Sequence, residues 1–222
     1  MSSDRRTAKV AGGLFLITEV AAVGGLTLYG PALRNADYVL GAGADARVFA
    51  GALCEIVLVL AVIGTGVVLY PVLRRRNEAA ALGYVCGRLL EAAVIAVGIV
   101  AVLSVVTVRR EVGAGVGGEA VARALVAVHD WTFLLGPNFV LGANTLVLAV
   151  LMYRSRLVPR FVAVLGLVGG PLICVSATAV LFGLYGQVSP VGSLAAVPVF
   201  AWEVTLAVRL IVKGFDPAAP AA

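Results

Sequence analysis

Five acidic residues, Glu19, Glu55, Glu91, Asp130 and Glu203, stand in or at the edge of long apolar runs, each in a different run. A charged side chain at a bilayer centre costs about 2.5–3.5 kcal/mol on insertion scales, so it turns into a bundle interior, where it pairs, binds or moves protons. Acid/base chemistry is what carboxyls can do there, since a neutral acid donates a proton or a hydrogen bond and its conjugate base accepts one. Glu19, Glu91, Asp130 and Glu203 are therefore the candidate catalytic groups, and Glu55 a candidate binding group. Tyr84, Arg88 and Glu91 follow i, i+4, i+7 spacing, one stripe on a helix that is otherwise apolar. At i, i+3, Arg88 and Glu91 are close enough to pair, and an internal ion pair with no further role is the structural alternative.

His129 is the only histidine. An imidazole, with an unperturbed pKa near ~6.5, is the natural proton-transfer group; the alternative is a hydrogen-bonded anchor sharing the aromatic belt with Trp131. Asn138 and Asn144 extend that polar face, and Gly136-Pro137 predicts a kink in it. Trp202 stands beside Glu203, with Arg209 one heptad further on, either within the bundle or reaching to the headgroups. Tyr84, Arg88, His129, Trp131, Asn138 and Trp202 complete the candidate binding set. The internal arginines Arg88 and Arg209 cannot neutralise five acids, so unless Arg47 reaches in at least one carboxyl is expected to hold a proton. Glu19 and Glu203, at similar depth and without a local partner, are the sharpest candidates.

The elements that must position these groups follow from composition. With 61% hydrophobic and 13% charged residues, the 222-residue chain falls outside the soluble range, as does its mean hydropathy of +1.05. Six runs can cross a hydrocarbon core of about 30 Å: roughly 8–29, 47–70, 79–107, 126–153, 161–185 and 193–212. The expectation is an all-α fold, a polytopic membrane bundle of six transmembrane helices forming a single transmembrane domain over 1–222, with no room for a soluble catalytic domain. The fifth run holds Gly166, Gly169, Gly170 and Pro171 but no charge, and is expected to be a packing helix. The stretch Val121–Val128 is expected at the interface.

Basic residues cluster at Arg5, Arg6 and Lys9, at Arg74, Arg75 and Arg76, at Arg154, Arg156 and Arg160, and at Lys213, all on one face. On the other face Arg34, Arg47, Arg109, Arg110 and Arg123 are interspersed with Asp37, Asp45, Glu111 and Glu119. The positive-inside bias then places both termini in the cytoplasm of a bacterial plasma membrane. Topology and contact with membrane lipids explain the net charge of +5, which leaves no reason to invoke nucleic acid. Read as a secretory signal, the first run fails: it is as long as a span, carries Glu19 in its middle and lacks a cleavage site. Cys54, Cys86 and Cys174 read as buried apolar residues rather than a disulfide or zinc framework. No metal site, phosphate loop or hydrolase constellation is legible, and no cofactor is implied.

The run Gly136–Pro171, with Tyr153-Arg154-Ser155 and Pro159-Arg160 joining two helices, together with Arg88-Leu89-Leu90-Glu91, resembles the signature of a family of small bacterial six-helix membrane proteins catalogued as a domain of unknown function. Phe161-Val162-Ala163 departs mildly from that family's usual small and aliphatic residues. The resemblance implies fold and topology, and no activity.

Three functions fit these residues. The first is acid/base chemistry on, or binding of, a lipophilic, isoprenoid-like small molecule, with Glu91, Glu203 or Asp130 as the acid and Trp131, Phe133 and Trp202 offering ring faces to a cation. It resembles the membrane terpene cyclases in architecture alone. The second is a small proton- or cation-coupled carrier, helped by a homodimer. The third is a structural or regulatory protein whose polar core fixes helix register.

Overall fold

The computed structural model describes residues 3–34, 38, 44–111 and 117–216, and among these every regular element is helical. Helix α1 (Ser3–Leu28) runs into the short α2 (Gly30–Arg34), and α3 (Asp45–Leu73) and α4 (Glu78–Glu111) follow. The fourth span is one continuous helix made of α5 (Gly118–Leu134), a π-helical segment (Leu135–Val140) and α6 (Leu141–Ser155). Then come α7 (Arg160–Leu181) and α8 (Pro190–Val212). Six helices are long and apolar enough to cross a membrane. The stretch Val121–Val128 belongs to the fourth of them, which starts eight residues before the expected 126. The fifth stops at Leu181, short of the expected 185. Its end is set by Gly183, whose φ of 73° is readily open only to glycine. The N–H of Gly183 then bonds Val180 O and that of Leu184 bonds Ala179 O, capping the helix.

Neighbouring spans pack in chain order, α1 on α3, α3 on α4, α4 on α5 and α6, α6 on α7 and α7 on α8, and α8 returns to α1 to close a ring. Lipid tails are as apolar as leucine, so close packing rather than water exclusion must hold the ring together, and small residues permit it. A Cβ on Gly166 would lie 2.8 Å from both the Trp202 ring and Ala149, so this glycine lets α7 seat between α6 and α8.

At two of the prolines that open the helical ladder, Pro137 and Pro31, a side chain closes the gap. Pro137 has no N–H for the carbonyl of Phe133; the backbone widens into the π segment there and Asn138 Nδ2 donates to Phe133 O at 2.9 Å. The expected kink thus takes the form of a π turn. Pro31 similarly leaves the carbonyl of Thr27 without its helical donor, and Arg47 Nη2 supplies one at 2.9 Å.

The motif Tyr153-Arg154-Ser155 with Pro159-Arg160 forms a corner. After α6, Arg156 adopts φ 51°, Pro159 precedes the first turn of α7, and the Arg160 guanidinium lies 5.7 Å from the Tyr153 ring centroid. Against this corner lies the chain after α8: Asp216 N–H bonds Leu157 O at 2.8 Å, and Arg209 pairs with Asp216. Arg5 Nη2 donates to Val212 O at 2.7 Å, so both ends of the chain meet at this side of the bundle, the termini end. The opposite side, the distal end, holds the starts of α3, α5 and α8; Asp37 lies outside the described residues.

Candidate functional site

Arg88 is the centre of the buried polar network. It is 2% exposed, and each nitrogen of its guanidinium has an oxygen partner. Nε donates to Tyr84 Oη at 3.0 Å, one turn back on α4. Nη1 donates to both oxygens of Glu91, at 3.0 and 3.3 Å. Nη2 crosses to α8 and donates to Glu203 Oε1 at 3.0 Å. The ring centroids of Phe15 and Tyr84 lie 5.5 and 5.4 Å from the guanidinium carbon. The stripe therefore faces protein and Arg88 pairs with Glu91. Glu203, expected to lack a local partner, finds one 115 positions away.

The carboxyl of Glu19, on α1, stands on the same cavity wall as Glu203. Glu19, Glu91 and Glu203 thus share one guanidinium, which bonds Glu91 and Glu203 but not Glu19. These four residues, with Glu55, His129 and Asn138, line a cavity of about 230 Å³ whose remaining wall is mainly apolar, with Leu58, Ile95, Leu141 and Val199 among its members. Such a hollow, apolar with a few convergent polar groups, has the character of a small-molecule site.

At the distal side of the cavity stand Glu55 and His129. Glu55 packs tightly on α1, where a Cβ on Gly25 would come 2.7 Å from its Cγ. The Tyr29 hydroxyl is turned toward the Glu55 carboxyl without a well-formed hydrogen bond. His129 is buried, stacked on Phe133 with ring centroids 6.3 Å apart and met edge-on by Tyr29 at 5.8 Å. It shares the cavity wall with Glu55, and its Nδ1 is 3.4 Å from Asp130 Oδ1.

Eight of the eleven residues singled out from sequence thus meet in or beside the cavity: Glu19, Glu55, Glu91, Glu203, Arg88, His129 and Asn138 on its wall, and Tyr84 behind Arg88. The other three lie elsewhere. The Asp130 side chain is 65% exposed and Trp131 faces outward, because successive helix positions differ by about 100°. Trp202 is buried in the packing core behind Gly166 and does not reach the cavity. Cys86, expected to be buried, is exposed on the bundle surface. Sequence reasoning missed Tyr29, Phe15 and Phe200, aromatic residues in apolar surroundings whose neighbours come from other helices; nothing local distinguishes them.

A second ion cluster lies at the distal end. Asp45, the first residue of α3, accepts from Arg109 Nε at 2.9 Å and from its Nη2, from Arg110 Nε at 2.8 Å and from Tyr38 Oη at 2.8 Å. An acid at a helix N-terminus and two arginines in the last turn of α4 also suit the two helix dipoles. Burial, and then the bond to Asp45, push the Tyr38 phenol up to about 12.

The family described as a domain of unknown function, DUF4386, matches residues 10–214, nearly the whole chain and every helix of the ring. The chain belongs to this family. Neither a curated protein nor a solved structure matches it. The family description carries no activity, so its fold comes with the chain and its chemistry has to be argued from the cavity.

Proposed function

We propose that the protein binds a lipophilic small molecule in the bundle cavity and exchanges a proton with it, the Glu19–Glu203 pair acting as the acid. One observation carries this reading: three carboxyls share a cavity with a single guanidinium, which already bonds two of them. One cation offsets only one of three carboxylates, so in a low-dielectric interior protons answer the rest, and one held by the Glu19–Glu203 pair is available to a ligand. The apolar wall favours a hydrocarbon body, and the carboxyl end favours a proton-accepting group on it. An isoprenoid-like chain suits both. When the pair gives up its proton, Arg88 is already in place to stabilise the carboxylate left on Glu203.

A proton-coupled carrier is the second reading, favoured by the π segment. A helix that changes pitch within a span, beside the cavity, is a common feature of functional sites. Under either reading the arginine clusters at the termini end support cytoplasmic termini in a plasma membrane.

Mass spectrometry of molecules extracted from the purified protein tests the binding. Wild type should retain a lipophilic compound that Ala196→Phe, which fills the cavity from α8, and Glu19→Gln both lose. Identical extracts from all three proteins would end this proposal.

A further inference from the structure

Two hollows in the bundle share a wall, and the only histidine of the chain is in it. His129 and Phe133 line the carboxyl cavity on one side. On the other side they line a cleft of about 380 Å³ at the distal end, bounded by Leu26, Asp130, Trp131, Gln187 and Val188. The cleft is where α5 stands beside the end of α1 and the turn between α7 and α8. It is also partly polar: Gln187 Nε2 is buried there without a hydrogen-bond partner.

Three titratable groups stand around the imidazole. Asp130, on its own helix, is 65% exposed and stands on the cleft side, with Oδ1 3.4 Å from Nδ1. Glu55, on α3, is buried and stands on the cavity side. Tyr29, at the end of α1, meets the ring edge-on and turns its hydroxyl to Glu55. From α4 the neighbour is Gly98, where an added Cβ would come 3.6 Å from the ring, so α4 adds no charge here. The sequence Asp130, His129, Glu55 thus leads from an exposed carboxylate through a buried imidazole to a buried carboxyl on the cavity wall. Imidazole suits the middle position because it can accept a proton on one nitrogen and release one from the other.

We infer that His129 is the proton-transfer residue joining the distal cleft to the carboxyl cavity, receiving protons on the Asp130 side and passing them to Glu55. The inference rests on the acid/base reading of the cavity for the use of the proton, but not for its test. Asp130, which does not reach the cavity, acquires a role as the outer carboxylate of this route, and the Phe133 ring stacked on His129 holds the imidazole in the shared wall.

Because His129 is the only histidine, full-length tag-free protein labelled with ¹⁵N-histidine in phosphatidylcholine–phosphatidylglycerol nanodiscs reports this ring alone. Exchange of the ring N–H with water reads out the route. Both Asp130→Asn and Glu55→Gln should slow that exchange about tenfold or more. Glu78→Gln, at the termini end, should leave it unchanged. Val188→Trp, which narrows the cleft, should slow it to a similar extent. An exchange rate unchanged in either acid variant or in Val188→Trp would overturn the relay. A packing histidine wedged between Tyr29 and Phe133 would give that result. Loss of the Glu19 or Ala196 effect on ligand retention would sink the cavity's proposed function and leave these exchange rates unaltered, so the two failures are separable.

Discussion

The Asp45 and Arg88 clusters are near mirror images in charge. Among the described residues, one places a single carboxylate among two arginines and a tyrosine; the other places a single arginine among two bonded carboxylates and a tyrosine, with a third carboxyl on the same cavity wall. Their settings differ more than their chemistry. Asp45 lies at helix termini, and Arg110 is 55% exposed, so charge there can be hydrated. Arg88 is 3% exposed at its side chain and borders a cavity, so the surplus acid can be answered only by a proton or by whatever enters. The same side-chain types therefore make a staple where water can complete the balance, and a candidate reaction site where it cannot.

Arg88→Leu should break the comparison most severely. It strands Glu91 and Glu203 without their partner, and a loss of about 3–5 kcal/mol is expected, read as thermal unfolding of the purified protein in detergent. Arg88→Lys should lie between that variant and wild type, since it keeps the charge and loses the fork. A Leu variant as stable as wild type would mean that the network holds nothing together.

Asp45→Asn should cost less, about 1 kcal/mol, because the two arginines it releases can turn to solvent. That loss should shrink as salt is raised, whereas the Arg88→Leu loss should not. An Asp45 effect indifferent to salt would erase the distinction between the clusters.

Glu19→Gln sharpens the contrast at still smaller cost. It removes no bond to Arg88, so stability should change by no more than about 0.5 kcal/mol, while retention of the cavity ligand falls. A Glu19 variant that unfolds would assign this carboxyl to architecture.

The smallest effect concerns Tyr38. Its folded-state value of about 12 lies above the ordinary phenol value of about 10. The protonated phenol thus contributes stability that is fully present below about pH 10 and lost as the pH rises through about 12. The difference between the alkaline ultraviolet titrations of wild type and Tyr38→Phe should show this one phenol ionising near the higher value. A difference centred near pH 10 would show that the bond to Asp45 does not hold it.

Much of this was legible residue by residue. Tyr84, Arg88 and Glu91 could be placed on one face because their spacing is a property of one helix. So could the disturbance at Gly136-Pro137, because a missing N–H is a local fact. The bond from Arg88 to Glu203 was not legible, since it joins residues on two helices whose rotation no local signal reports. The roles of His129 and Asp130 were inseparable for a similar reason: adjacent residues point in different directions, and only the packed neighbours decide which is inside. Trp202 had the chemistry of a site residue and became packing because Gly166 opened a seat for it.

By itself the chain determined its six segments long and apolar enough to cross a membrane, their helical form and the types of group available for chemistry, because length, hydropathy and backbone donors act within each segment. The tertiary structure decided which carboxyls share a cation, which one lacks one, and that a histidine stands between two hollows. Those outcomes depend on the depth and rotation of each helix against the others, which close packing fixes only when all six are assembled.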